Sequence, residues 1–146
     1  SEADAVLEYF APLAEDAGIE LRRTGRAALR GDRGLLRRVL SNLLSNALRF
    51  TPKGGLIAVQ LQDSAAGAVL TVENPGADIP PQVLERLFDR FYRADPSRTD
   101  RHEHAGLGLA ISRSIIHAHG GTIECQSQGG LTRFVIRLPV TRNADQ

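Results

Sequence analysis

The chain has 146 residues, of which 42% are hydrophobic and 24% are charged, and its formal net charge is +1. This composition suits one domain with a substantial core, and the near-zero charge gives no overall attraction to nucleic acid or to anionic membranes. The single cysteine, Cys125, excludes an internal disulfide and a cysteine-based zinc site. No methionine, membrane-length apolar run or signal peptide is present. We therefore expect a soluble piece of a longer protein.

The first segment with helical spacing is 3–17, and strands are expected at 19–25 and 27–31, joined at Gly25. One stripe of the helix is predicted to be apolar, formed by Val6, Phe10, Leu13 and Ala17. Asp32 is a good N-cap for a second helix that extends to about Phe50. Its wide apolar face is predicted to comprise Leu36, Val39, Leu40, Leu43, Leu44, Ala47 and Phe50.

Strands with alternating apolar and polar residues are predicted at 56–62 and 68–74, and a short amphipathic helix that is broken near Phe88 is predicted at 81–91. The polar residues 93–105 form a long loop, which is either functional or disordered. Residues 106–121 open with glycines and become a helix, and the strands 122–128 and 131–139 form a closing hairpin. This order predicts an α/β two-layer sandwich, with a mixed, largely antiparallel sheet and about three helices on one face. We expect a single domain over 1–146, with its core at about 6–139.

Three features suggest a ligand site, and each has a plainer interpretation. Asn42 and Asn46 lie one helical turn apart, and an amide oxygen such as that of Asn46 can bind Mg²⁺ whose charge is balanced by phosphates. Asn46 is equally suited to crosslinking its neighbours. The glycines of "AGLGLA" (105–110) would leave the backbone N–H groups of a helix start accessible to an anion, but they also suit tight packing.

The third feature is the segment "ENPGADIP" (73–80), which follows a strand end. Gly76 would let a flat ring lie on the backbone, Asn74 could pair with an exocyclic amine, and Ile79 could line the pocket. In isolation, a strand-ending turn is the preferred interpretation of this segment.

Five segments in this order become specific together: "RRVLSNLLSNALRFTPKGG", "VENPGADIP", "RLFDRFYRADPSR", "GLGLAISRSIIHAHGG" and "GGLTRFVIRLP". Their combination resembles the ATP-binding catalytic domain of bacterial sensor histidine kinases, in the superfamily shared with gyrase, Hsp90 and MutL. The resemblance extends from about Val6 to Pro139 and is greatest to the heavy-metal-responsive branch. It implies the Bergerat (GHKL) type of sandwich, ATP and Mg²⁺ as ligands, and residues 93–105 as the lid over the nucleotide.

The resemblance also implies roles around the adenine. Phe50 matches an aromatic position that borders the base, and Thr132 matches a threonine near it. Asn74 stands where most members have an aspartate that reads the adenine amine; it keeps an acceptor oxygen but loses the charge. Gly76 matches the first glycine of its box, whereas Asp78 replaces the second and removes backbone freedom.

Around the phosphates, Asn46 matches the Mg²⁺ ligand, and Asn42 and Arg49 match positions near the phosphates and the ribose. Arg93 resembles an arginine near the γ-phosphate, and Phe88 and Phe91 match aromatic residues that pack the lid base. The backbone that wraps the phosphates corresponds to Gly106, Leu107, Gly108 and Leu109.

The implied reaction is transfer of the γ-phosphoryl group to a histidine. The ATPases of the superfamily have a glutamate at the position of Asn42, and an asparagine cannot act as a general base, so we expect negligible hydrolysis. The acceptor histidine belongs to a separate dimerisation domain, which passes the phosphate to a response regulator. We expect this chain to be a monomer and to be the cytoplasmic part of an inner-membrane sensor, without a nucleic-acid partner.

The four histidines do not resemble the acceptor site. His102 and His104 fall in the expected lid, and His117 and His119 lie near a helix carboxyl end, where the helix dipole favours them. Neither pair has the further ligands that a metal site needs. A packing role is expected for Cys125. If Asn74 and Asp78 prevent nucleotide binding, the alternative is a degenerate module that acts by docking.

Overall fold

Five strands form one mixed sheet, and helices cover one face of it. The computed structural model describes residues 2–29, 31–89 and 108–139. The helices are α1 (Glu2–Asp16), α2 (Arg33–Phe50), α3 (Pro81–Leu84) and α4 (Gly108–Ala118). The strands are β1 (Glu20–Arg26), β2 (Leu56–Ser64), β3 (Gly67–Pro75), β4 (Thr122–Gln128) and β5 (Leu131–Pro139). The predicted two-layer sandwich is confirmed, with α3 as a fourth, very short helix.

The strand order in the sheet is β1-β2-β3-β5-β4. β1 is parallel to β2, since α2 forms the crossover between them, and all other neighbours are antiparallel. The register pairs Asn74 of β3 with Thr132 of β5. The end of β3 and the turn between β4 and β5 therefore lie at the same end of the sheet.

The core lies between α2 and the centre of the sheet. Alternate residues of β2 (Ile57, Val59 and Leu61) are at most 3% exposed, as expected for a strand with one covered face. Six residues of α2 are buried on the same side: Leu36, Val39, Leu40, Leu43, Leu44 and Ala47. The predicted apolar face of α2 is therefore confirmed except at its last residue, because Phe50 is 50% exposed.

The stripe predicted for α1 is partly wrong. The buried residues are Ala3, Val6, Phe10 and Ala14, whereas Leu13 is 45% exposed. Helical spacing from Phe10 is satisfied by a step of three or of four residues, and packing against the core selects the step of four. Ala17 lies beyond the helix and is exposed.

Among the described residues of 19–31 there is one strand, rather than the two predicted. β1 continues through Gly25, whose φ is +81° and whose α-carbon faces the carbonyl of Leu61 too closely for a side chain. After Arg26 the backbone leaves the sheet, since the N–H of Ala28 is bonded to the Asp63 carboxylate at 3.1 Å instead of to a strand. The expectation of a strand at 27–31 is therefore wrong.

The ends of α2 follow the capping rules. The Asp32 carboxylate accepts a hydrogen bond from the N–H of Leu35, and the Thr51 hydroxyl donates to the carbonyl of Ala47 at 2.6 Å. α3 is much shorter than the predicted 81–91, since only turns follow it up to Phe88. Within the described ranges, no helix has the length and apolar character needed to span a bilayer.

Candidate functional site

Asn42 joins α2 to α4. Its Nδ2 donates to the carbonyl of Gly108 and to the hydroxyl of Ser112, both at 3.2 Å. Ser112 is fully buried, so this bond satisfies a hydroxyl that has no access to water. The amide nitrogen of Asn42 therefore holds the start of α4 against α2, which is a structural role that the sequence analysis did not assign to it.

The opposite ends of these helices are joined by His119. The N–H of Asp32 donates to Nε2 of His119 at 3.0 Å, and Nδ1 lies 2.8 Å from the carbonyl of Ile115. These two contacts give His119 a crosslinking role between α2 and α4, which the sequence analysis did not assign to this helix-end residue. Because Asp32 meets one end of α4 and Asn42 meets the other, the helices run antiparallel.

This antiparallel packing directs the amino end of α4 toward the last turns of α2. Asn46 lies one turn beyond Asn42, about 6 Å along the axis, and is half-buried. Arg49 follows, with its guanidinium 5.4 Å from the centre of the Phe50 ring. The partial positive charge of a helix start, an amide and an arginine therefore share one region, which suits an anion.

A second group of predicted residues lies at the end of β3. Asn74 and Thr132, paired across β3 and β5, are only 3% and 7% exposed. A methyl group on Gly76 would lie 3.8 Å from Nδ2 of Asn74 and 3.9 Å from Oγ1 of Thr132. Gly76 therefore leaves open a gap beside two buried polar side chains. Nδ2 of Asn74 donates to the carbonyl of Pro75 at 2.8 Å, which leaves its Oδ1 as an acceptor.

The two groups of residues lie at the same end of the sandwich. A methyl group on Gly55, in the turn after α2, would lie 2.6 Å from Cγ2 of Thr51 and 3.1 Å from Cγ of Pro75. The end of β3 therefore contacts the turn that follows Phe50. An elongated ligand could place a flat, polar end at the corner formed by Asn74, Gly76 and Thr132, and an anionic end at the start of α4.

The loop after β3 is tied to the turn between β4 and β5. The N–H of Gly76 donates to the carbonyl of Gly130 at 2.9 Å, and the N–H of Gly130 donates to the Asp78 carboxylate at 2.8 Å. The N–H of Ile79 donates to the hydroxyl of Ser127 at 2.7 Å. Ile79 itself is half-buried, as is Leu109 in the first turn of α4.

A divalent cation beside Asn46 would depend on oxygen ligands from outside the chain. Among the residues that the structure describes, no group of three or more histidine, cysteine, aspartate or glutamate side chains could hold a metal ion. The half-buried amide of Asn46 beside a helix start fits a Mg²⁺ ion whose other ligands are phosphate oxygens and water. The donor set is therefore compatible with Mg²⁺ bound as a complex with a nucleotide.

Several predicted residues lie outside the described ranges: Phe91, Arg93, His102, His104, Gly106 and Leu107, with the rest of the expected lid at 93–105. Phe88 is described and is 9% exposed. Its ring meets that of Phe134 edge-on at 6.2 Å, with the Arg113 guanidinium 5.9 Å from its centre. The expected aromatic anchor next to the lid therefore packs on the sheet.

Sequence reasoning missed Ser112 and Ser127, the two hydroxyls that accept hydrogen bonds from the site segments. Ser112 carried a weak signal, because it lies one turn after Gly108 and shares the buried side of α4 with Ile115 and Ile116. Ser127 carried none, since its alternation within β4 is that of any half-buried strand residue.

Comparison with known proteins identifies the family of this chain. The family model described as histidine kinase-, DNA gyrase B- and HSP90-like ATPase matches residues 31–142. The chain belongs to this family. The sensor histidine kinase CusS of Escherichia coli K12 is 52% identical over 139 residues, which is 94% of this chain and 29% of CusS. The sensor protein CopS of Pseudomonas syringae pv. tomato is 50% identical over 102 residues, which is 70% of this chain and 21% of CopS.

Solved structures of this ATPase family share the fold. The catalytic domain of the histidine kinase ThkA superposes with a TM-score of 0.83 at 27% identity, covering 94% of this chain and 90% of that one. Full-length ShkA in complex with AMPPNP gives 0.81 at 27% identity, covering 94% and 29%. ThkA in complex with the response regulator protein TrrA gives 0.81 at 26% identity, covering 98% and 40%.

The resemblance inferred from the motifs is therefore confirmed, including the similarity to heavy-metal sensor histidine kinases. The chain spans less than a third of the length of the curated relatives described above. The roles of the individual site residues stay predictions.

Proposed function

We propose that this chain is the ATP-binding catalytic domain of a membrane sensor histidine kinase. It binds Mg-ATP and donates the γ-phosphoryl group to a histidine on a separate dimerisation domain, from which a response regulator receives it. The proposal rests on membership of the ATPase family and on similarity to sensor kinases such as CusS. The complexes of ShkA with AMPPNP and of ThkA with TrrA support the nucleotide and the regulator.

The observation that carries the proposal is the contact of Asn42 with Gly108. It fixes the amino end of α4 beside Asn46 and Arg49, where the phosphates would bind. The helix start and Arg49 would offset the phosphate charge, and the Asn46 amide would bind Mg²⁺. Gly108 also carries the segment in which Gly106 and Leu107 would wrap the phosphates and Leu109 would pack behind them.

The adenine would bind at the corner formed by Asn74, Gly76 and Thr132. Oδ1 of Asn74 would accept a hydrogen bond from the exocyclic amine, since the amide nitrogen is already bonded to Pro75. The half-exposed ring of Phe50 and the side chain of Ile79 would border the base, and Arg93 would lie near the γ-phosphate. A half-exposed aromatic ring at this end is accounted for if a ligand covers it.

The chemistry and the hydrogen bonds of Asn42 favour phosphoryl transfer over hydrolysis. Its amide cannot take a proton from water, and its nitrogen is already bonded to Gly108 and Ser112. Steady phosphate release by the purified chain should therefore be negligible. The similarity to heavy-metal sensors further suggests that a metal ion controls the whole kinase through a part outside this chain, with this domain in the cytoplasm.

The proposal is tested by calorimetric titration of the chain with AMPPNP, with and without Mg²⁺. We expect saturable, Mg²⁺-dependent binding, and at least about a tenfold loss of affinity in Asn46→Asp, since a carboxylate facing the phosphates adds a repelling charge. Ser45→Asp is the matched control. It adds the same charge to the neighbouring position on the exposed side of α2 and should bind nucleotide nearly as the parent does.

A folded parent chain that shows no heat at millimolar nucleotide would overturn this proposal. The docking module suggested by Asn74 and Asp78 would then be the better description. Equal affinity losses in Asn46→Asp and Ser45→Asp would instead place the phosphates away from Asn46.

A further inference from the structure

Asp78 stands at a position where the motif resemblance implies a glycine, and the structure gives its carboxylate a partner. Oδ1 accepts the N–H of Gly130 at 2.8 Å, while the carbonyl of the same Gly130 accepts the N–H of Gly76 at 2.9 Å. Both backbone groups of Gly130 are therefore bonded to one loop, at residues only two apart. Gly130 has a φ of +81°, so its turn needs a glycine and has no side chain of its own to hold it in place.

A third bond completes this connection. The N–H of Ile79 donates to the hydroxyl of Ser127 at 2.7 Å, and Ser127 is half-buried, two residues before the Gly129-Gly130 turn. Residues 76–79 thus contact the β4–β5 turn and the end of β4 through three hydrogen bonds, and two of these depend on the side chains of Asp78 and Ser127. We call these three bonds the loop clamp.

The loop clamp lies next to the buried polar pair of the site. A methyl group on Gly76 would be 3.8 Å from Asn74 and 3.9 Å from Thr132, so the position of the Gly76 backbone sets the width of the gap beside both side chains. A loop free to shift by an ångström would widen or close this gap. Fixing such a loop before the ligand arrives lowers the ordering cost of binding.

We infer that Asp78 and Ser127 are positioning residues of the nucleotide site. They hold the 76–79 loop in place, so that the gap beside Gly76, Asn74 and Thr132 stays open for the adenine. The inference rests on the proposed function and adds to it a determinant of base binding. Asp78 exchanges the backbone freedom of a glycine for a side-chain anchor. In the sequence, aspartate at position 78 suggested only a loss of backbone freedom. In the structure, its side chain fixes the loop that borders the base.

The test compares ADP affinity across matched variants of the full chain by calorimetry. Asp78→Ala removes the acceptor, and we expect ADP binding to weaken about tenfold because the loop must be ordered on binding. Asp78→Asn keeps an acceptor oxygen and should stay within about twofold of the parent. Ser127→Ala should weaken binding in the same way, whereas Ser127→Thr retains the hydroxyl and should restore it.

The structure also offers a control of the same chemistry. The Asp63 carboxylate accepts the N–H of Ala28 at 3.1 Å and so joins an exposed loop to β2 away from the site. Asp63→Ala should lose a comparable contact without changing ADP affinity. Tripolyphosphate, which lacks the base, should bind Asp78→Ala as it binds the parent, because the loop clamp acts on adenine only.

The outcomes separate the two proposals. If the parent binds ADP and Asp78→Ala binds it equally well, while amide exchange at Gly130 is accelerated, the loop clamp exists but does not position the base, and the inference is wrong. A loss shared equally by ADP and tripolyphosphate would also contradict it. If the folded parent binds neither compound, the proposed function fails, and the inference fails with it.

Discussion

At the scale of single residues, Asn42 and Asn46 belong to one motif but have different surroundings. Both lie on one side of α2, and the resemblance assigned both to the nucleotide. The structure bonds the nitrogen of Asn42 to Gly108 and Ser112, so this residue positions α4. Asn46, one turn further along α2, lies on the side to which the start of α4 points. Sequence spacing placed the two amides together, but only the packing of α4 distinguished their partners.

Cys125 has the packing role expected from the sequence. It lies on β4 opposite Phe134 and packs against the core, and burial raises the pKa of its thiol to about 12 from an ordinary value of 9.0. We expect the native thiol to react with iodoacetamide at pH 9 at least about tenfold more slowly than the urea-unfolded thiol, because the thiolate is the nucleophile. Mass spectrometry of timed samples measures both rates.

The same shift predicts a pH dependence of stability. Between pH 9 and pH 12 the unfolded thiol ionises while the native one stays protonated, so the contribution of Cys125 is fully present below pH 9 and is lost as the pH rises toward 12. Comparison of Cys125→Ala with the parent, by urea unfolding at pH 8 and pH 10, isolates this contribution. An unfolding free energy that falls equally in both proteins would show that the thiol does not contribute.

At the scale of helices and strands, alternation and capping residues predicted the bounds of the elements correctly in β4, β5 and at the start of α2. Helical spacing was less accurate about which residues of α1 are buried. β4 and β5 have the bounds expected from their alternation and from the Gly129-Gly130 turn, and α2 begins after the Asp32 cap as predicted. In α1, steps of three and four residues fit the sequence equally well, and the choice of Ala14 over Leu13 comes from contact with the core. Periodicity defines an apolar side of a helix, but the neighbouring element selects which residues at its border are buried.

The connection between α2 and α4 through His119 is testable at this scale. His119→Ala removes the acceptor for the Asp32 N–H and the ring nitrogen that lies beside the carbonyl of Ile115. We expect a loss of about 1–2 kcal/mol in the free energy of unfolding. Urea unfolding followed by circular dichroism measures this change.

His117 is the matched control for this experiment. It lies two residues before His119 and is exposed, so His117→Ala should change the free energy of unfolding by less than about 0.5 kcal/mol. Equal effects of the two histidine variants would refute the crosslinking role.

Gly31 lies directly against the His119 ring and has a φ of +143°. We therefore expect Gly31→Ala to lower the free energy of unfolding as well, which the same urea experiment measures.

For the whole molecule, the central feature is that the candidate site lies at one end of the sandwich and the His119 connection at the other. The site includes residues of α2, β3, α4 and β5, which are distant in sequence. A ligand that contacts all four elements in the folded state has no comparable site in the unfolded chain. Binding should therefore stabilise the domain as a unit.

We expect ADP with Mg²⁺, at about 100 times its Kd, to raise the unfolding free energy by about 2.7 kcal/mol. Urea unfolding with and without nucleotide measures the increase. His119→Ala, whose change lies at the far end, should show the same increase as the parent, whereas Asn46→Asp should show much less. An increase that is lost in His119→Ala but kept in Asn46→Asp would contradict the location of the site.

The sequence by itself determined the family, the two-layer sandwich and the bounds of β4 and β5, because alternation, caps and motif order are read directly from the chain. The site residues that it suggested stay predictions. It did not determine the partners of Asn42, His119 and Asp78, which are 66, 87 and 52 residues away from the groups they contact. Asp78 appeared in the sequence as a lost glycine, and His119 as a helix-end residue. Only the tertiary structure decided their roles, since a hydrogen bond between distant segments depends on how α4 and the β4–β5 turn pack.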